Sequence, residues 1–340
     1  MKTINTLRTL MILASSFLFL QCTSDPRTVA GADGIDGADG VDGTASCVAC
    51  HSNSHLDPIR SAYAISGHAT GDTYVRGTSG SCATCHANEG FIDFVDLGAA
   101  NEDGYENPTP ISCTTCHDKH GSFDFTNDGN DFALRTFAPV PLRLINPDYV
   151  IDHGDKSNNC VNCHQPRRSD PTDDGTGTFE VTSSHWGPHH SPQSTVLEGM
   201  GGSHLVGSAS YPAVGSAAHR SGSTCVQCHM GETTNGNDGS HSNYATTNAC
   251  AACHTSGAPS EVAGLANDLA MLEVLLANVV SQDGTVTGII HDGHPQVGTF
   301  TITQAQAAWN YLTVVEDQSN GVHNPAYTKA LIINSIEALD

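Results

Sequence analysis

The chain has 340 residues, 13 of them cysteine, with 38% hydrophobic and 6% aromatic residues and a formal net charge of −23. So few apolar side chains exclude a large conventional hydrocarbon core for a chain of this length. The acidic balance excludes nucleic acid as a partner, since nothing neutralises phosphates, and fits either solubility outside the cytoplasm or an acidic surface that docks a basic partner.

Residues 1–21 read as an export signal. Lys2 and Arg8 supply the positive start, and Leu10 to Leu20 form an apolar run too short to cross a bilayer as a helix. The run ends at Cys22, which resembles a bacterial lipoprotein signal. That resemblance implies lipidation of Cys22 and a membrane anchor, with Thr23 after it implying transfer to the outer membrane. Gln21 departs from the small residue usual there, so an ordinary cleaved signal or an uncleaved anchor stays open. Residues 22–46 then read as a tether. Glycine recurs every third position from Gly31 to Gly43, but five glycines without proline are too few for a triple helix. The four aspartates among them repel one another and favour a solvated linker.

Residues 47–257 are rich in Gly, Ser, Asn, Asp and Thr, with no long apolar period. Setting Cys22 aside, every cysteine falls into C-x-x-C-H: Cys47-Cys50-His51, Cys82-Cys85-His86, Cys113-Cys116-His117, Cys160-Cys163-His164, Cys225-Cys228-His229 and Cys250-Cys253-His254. This pattern is the attachment signal for c-type haem. Two thiols add to the two vinyl groups on one edge of the ring, and the next residue, histidine, reaches back to the iron. Disulfides would not require a histidine after every second cysteine, and structural zinc sites rarely demand one at every half-site. Six covalent haems would also supply the apolar interior that the side chains lack.

Each iron has a second axial position. Met200, Met230 and Met271 are the only methionines beyond the signal, whereas 13 histidines lie outside the motifs. Histidine on both faces is therefore expected, with low reduction potentials. The candidates are His68, His120, His185, His189, His219, His241 and His323, seven for six positions, so at least one is surplus. His55, His153, His204, His291 and His294 read as surface or loop residues, and His190 sits beside His189. In "ISCTTCHDKH", His120 follows His117 too closely to reach the other face of the same haem. It is expected to reach a neighbouring one. Arg167 and Arg168 could bind an anion or pair with haem propionates. Asn127 to Asp131 offer oxygen ligands but lack the full calcium-loop spacing.

Residues 258–340 change character. Val262, Leu265, Leu269, Leu272, Leu276 and Val279 mark one face of a helix with Ser260 as its cap. A second helix is predicted over Thr303–Asp317. A third is predicted from Asn324 as cap and Pro325 as first helical residue, with Ile332, Ile336 and Leu339 on its apolar face.

The six motifs, with "HWGPHHSPQ", "CVQCHM" and "GVHNPAY", resemble bacterial multihaem c-type cytochromes, which include extracellular electron carriers and filament-forming chains. Gly-Asp tethers after a lipid cysteine are similar to those of outer-surface decahaem cytochromes. The resemblance implies mostly irregular coil and short helices wrapped round haems, with an α-helical C-terminal region. It further implies electron transfer along six haems to partner cytochromes or extracellular acceptors, on the periplasmic or cell-surface face of the outer membrane. The alternative is a reductase of nitrite, hydroxylamine or a sulfur oxyanion, since "HNP" resembles that group. Such an enzyme needs an iron with an open face, and no lysine follows any C-x-x-C here.

Overall fold

The computed structural model describes residues 45–121, 124, 132–143, 146–259, 261–280, 282–285 and 288–340. The export signal, Cys22, nearly all of the tether, the stretch Asn127 to Asp131 and Ser260 lie outside them. The chain divides into two compact units, Met1–Leu56 and Asp57–Asp340. The described part of the first is helix α1 (Ala45–His51), which carries the first motif, and the start of α2 (Asn53–Ala64).

The second unit is mostly short helices and coil up to residue 259. These are α3 (Gly67–Thr70), α4 (Gly80–His86), α5 (Asn88–Leu97), α6 (Cys113–Cys116), α7 (Asn158–Val161), α8 (Gln193–Glu198), α9 (Ala218–Gly222), α10 (Cys225–His229) and α11 (Thr247–Ala251). Helices this short are marginal on their own, and most motifs sit on or beside one. The loop-like composition therefore hides a single helical turn at each motif. Val140, Leu142, Ile151 and Val161 form a small buried apolar cluster in this stretch, apart from the C-terminal core. It lies against the hairpin of β1 (Val140–Leu142) and β2 (Asn146–Ile151).

The main core belongs to α12 (Leu265–Ala277), α13 (Ile302–Asp317) and α14 (Pro325–Leu339). Leu272, Leu276, Trp309, Leu331 and Ile332 are fully buried there. Trp186 meets Trp309 edge to face with centroids 5.6 Å apart. The antiparallel ladder of β3 (Thr178–Val181) with β6 (Gly298–Thr301) closes one side. A minimal pair, β4 (Ile290–His291) and β5 (His294–Pro295), precedes it. Among the described residues no helix is long and apolar enough to cross a membrane.

Two of the three C-terminal helices start where the sequence places them, within a residue. Thr301 Oγ1 accepts from Gln304 N–H at 3.2 Å, and Gln304 Oε1 accepts from Thr301 N–H at 2.9 Å, a reciprocal cap for α13. Thr301→Ala is expected to cost about 0.5–2 kcal/mol, read as a lowered denaturant midpoint. Asn324 Oδ1 accepts from Tyr327 N–H at 3.2 Å and caps α14. The exception is α12, which begins at Leu265 after Gly264 in the left-handed region, φ +79°, and not near Ser260. Val262 still packs on the core, but from coil. Between α13 and α14 the chain turns through Gly321, φ +81°, where an added Cβ would sit 2.5 Å from Leu265 Cδ2. That close turn leads straight into His323, whose backbone N–H donates to Ser319 Oγ, while Val322 stays exposed.

Candidate cofactor sites

In the motifs a single turn sets the chemistry. His117 N–H donates to Cys113 O at 2.8 Å, His164 to Cys160 O at 3.0 Å and His254 to Cys250 O at 2.8 Å. Positions i and i+3 share a helix face, so both thiols point to one side with the imidazole just beyond. None of the twelve cysteines from Cys47 to Cys253 is in a disulfide. Among the described residues no three of His, Cys, Asp and Glu gather round one point where a metal ion would sit. The donors come together differently, as thiol pairs and imidazole pairs.

Five motif histidines each face a histidine from elsewhere in the chain. His86 faces His189 with ring centroids 5.9 Å apart. His117 faces His241, His164 faces His68 and His254 faces His219, each at 6.2 Å. His229 faces His323 at 6.3 Å. Two imidazoles bound through Nε2 to opposite faces of one metal, at about 2.0–2.1 Å each, have centroids roughly 6.4 Å apart. Stacked rings approach more closely, as His204 and Tyr211 do at 4.1 Å. The spacing of the five pairs therefore fits an iron between each two rings.

The outer nitrogens support the same geometry. A ring whose Nδ1–H donates to an oxygen keeps the Nε2 lone pair for a metal. His117 Nδ1 donates to Phe132 O at 2.7 Å, and His229 Nδ1 to Asn243 O at 2.9 Å. His219 Nδ1 donates to Val322 O at 2.5 Å, and His164 Nδ1 to Gln193 Oε1 at 3.2 Å. His323 Nδ1 points at the Asp317 carboxylate, 2.6 Å away. Burial pushes His68 and His189 down to about 4, helped by His164 in the first case and by Arg167 and His86 in the second. Both rings are then neutral at neutral pH, the form that ligates. Arg76 and Arg167 also act on His86 after burial, in the same direction, so three arginines, with Arg168, surround the His86–His189 pair.

Of the seven non-motif candidates, five face a motif histidine: His68, His189, His219, His241 and His323. His185 is exposed, with Nδ1 3.4 Å from Ser184 Oγ, and stands apart from the five pairs. His120 lies in the second unit, and His51 in the first. His190 pairs with Glu316 and touches His189 at 5.7 Å, a contact of chain neighbours. Three residues of these sites went unseen in the sequence: Gln193, Asn243 and Asp317. Only Asp317 had a signal, a carboxylate six positions before a histidine. Asn243, φ +59°, does most. Its carbonyl holds His229, and its carboxamide donates to His241 O at 3.0 Å and lies 3.4 Å from His68 Nδ1.

The motif segments also touch one another. Cys85 Sγ is 3.9 Å from Asn162 O, and Cys163 Sγ is 3.9 Å from Thr84 O. The Cys85 and Cys163 thiols reach each other, as do those of Cys160 and Cys225. Ser157 Oγ, just before Cys160, meets Thr224 Oγ1 at 2.9 Å and accepts from Val226 N–H at 3.1 Å. Cys116 reaches Asn159 beside Cys160. Thr246 N–H donates to Cys228 O at 2.9 Å, which joins the last two motifs.

No family model matches the chain, and no curated protein matches it. Among solved structures, the crystal structure of outer cell wall cytochrome OcwA is similar, with a TM-score of 0.52 and 19% identity. The match covers 82% of this chain and 50% of that one, so this chain spans about half the length of the structure it matches. The likeness is one of fold: a mostly helical and coil chain with few strands, folded like a cytochrome.

Proposed function

We propose that this chain is a multihaem c-type cytochrome that carries electrons through closely set covalent haems, one at each of its six C-x-x-C-H motifs. The observation that carries the reading is the set of five imidazole pairs, each joining a motif histidine to a distant one at the spacing of two axial ligands. The cysteines would hold each ring by its vinyl edge. The bound haem would supply one-electron chemistry. The chain's own part is to fix both axial nitrogens, orient them through Nδ1, and exclude water from between them. His51 would serve the first motif, and His189, not His185, the second. A partner histidine on both faces leaves no open coordination position at five sites, which favours a carrier over a reductase.

The contacts between motif segments support electron passage from one centre to the next. The likeness to an outer cell wall cytochrome and the acidic composition support an exported location with partner cytochromes or external acceptors. We include in the same reading a signal over 1–21, lipidation of Cys22, a tether to residue 46, a haem-binding region over 47–257 and a helical region over 258–340 that completes it.

Low-temperature paramagnetic resonance of the purified holoprotein tests this. Low-spin signals at five or more centres are expected. His189→Ala is expected to convert one of them to high spin, and His185→Ala none. High-spin iron in the wild type that shifts with nitrite or hydroxylamine at any of the five paired centres would overturn the reading.

A further inference from the structure

We propose that Asp317 is a positioning residue that lowers the reduction potential of the centre held by His229 and His323. This rests on the reading that those two rings share one haem iron. Asp317 is the last residue of α13, and its side chain is wholly buried. A carboxylate is poorly placed at the C-terminal end of a helix, where the backbone carbonyls already present negative charge. Burial makes the placement costlier still. The local chain answers that cost with two donors. Ser319 Oγ–H donates to Oδ2, and His323 Nδ1–H donates to Oδ1 at 2.6 Å. Ser319 Oγ also accepts from His323 N–H at 3.2 Å, so the backbone and the ring of His323 are fixed together.

What sets this site apart is the charge of the acceptor. The four other paired rings with a described Nδ1 acceptor donate to neutral oxygens: two loop carbonyls for His117 and His219, the Asn243 carbonyl for His229, and the Gln193 carboxamide for His164. A carboxylate draws the Nδ1 proton more strongly. The ring becomes a better electron donor at Nε2. An electron-rich axial ligand stabilises the oxidised iron over the reduced one, so that centre gives up its electron more readily.

The experiment is a redox titration of the holoprotein followed by visible absorption and paramagnetic resonance, on wild type and Asp317→Asn. One component is expected to move to higher potential by about tenfold in its reduction equilibrium, about 59 mV for a one-electron couple, with a change in that component's g-values. The other components stay in place. Ser319→Ala, which leaves the carboxylate to His323 alone, is expected to move the same component the opposite way. Glu316→Gln removes the neighbouring charge, which pairs with His190 and touches no paired ring, and controls for through-space electrostatics. An unmoved component in both Asp317→Asn and Ser319→Ala, or a uniform shift that Glu316→Gln reproduces, overturns the proposal. Absence of paired low-spin signals in the wild type would instead overturn the parent reading.

Discussion

Replacing Cys160 and Cys163 together with alanine is expected to remove one haem and to divide the remaining electron path. The fourth motif is where the segments converge. Cys163 meets Cys85 of the second motif, Cys160 meets Cys225 of the fifth, and Cys116 of the third reaches Asn159. Asn243 adds a polar tie between the rings of the fourth and fifth sites and the backbone of His241 at the third. On the proposed reading, thioether sulfurs this close would leave only a few bonds between two pyrrole edges, and the fourth centre would stand between those of the second, third and fifth motifs. Intact-mass measurement should show one haem fewer. Stopped-flow reduction should split, with a slow phase slower by roughly tenfold or more, about 1.4 kcal/mol of added barrier. The matching change at Cys250 and Cys253 should also remove one haem, but from a motif whose described motif-to-motif contact is with the fifth, and should leave the rest reducing as one set. Equal kinetics for the two double variants would show that the fourth motif has no central place.

Trp309→Ala should produce the largest loss of stability from a single side chain in the C-terminal core. The indole is fully buried, Trp186 lies against its edge, and Nε1–H donates to Gly201 O at 2.8 Å. Truncation leaves a cavity and an orphaned carbonyl, for a cost of about 3–5 kcal/mol. Denaturant unfolding followed by far-ultraviolet circular dichroism would measure it. A loss below about 1 kcal/mol would mean that the haem-bearing region, not this core, holds the helices together. Trp309→Phe keeps most of the apolar volume and should cost clearly less.

The chemistry of the sites was legible because it is written at short range. Two thiols and an imidazole must sit on one helical turn, and that requirement appears as a fixed spacing. The C-terminal helices were legible for a related reason: α13 and α14 announce themselves by cap residues and an apolar period. Ser260 misled because a serine before a periodic run is a cap only if the helix starts there, and Gly264 in the left-handed region starts it later. The β3–β6 ladder had no signal. Its strands are four residues long and pair across more than a hundred positions. The partners of the motif histidines were legible as a set but not as pairs. His185 and His189 flank the same buried Trp186, and only packing sets His189 opposite His86.

The wide separation of the five histidine pairs along the chain sets an order of completion. A chain emerges N-terminus first, so His68 must wait for the fourth motif, and His117 for His241. The His229 site is completed last: its counterpart, His323, follows α13. Until then, a ring already bonded at Cys225 and Cys228 would have one bare side. A transcript cut short before codon 323 would strand that iron exposed to any small ligand in its surroundings. On the proposed reading, the terminal helices would thus act as the closing step of maturation as well as a scaffold.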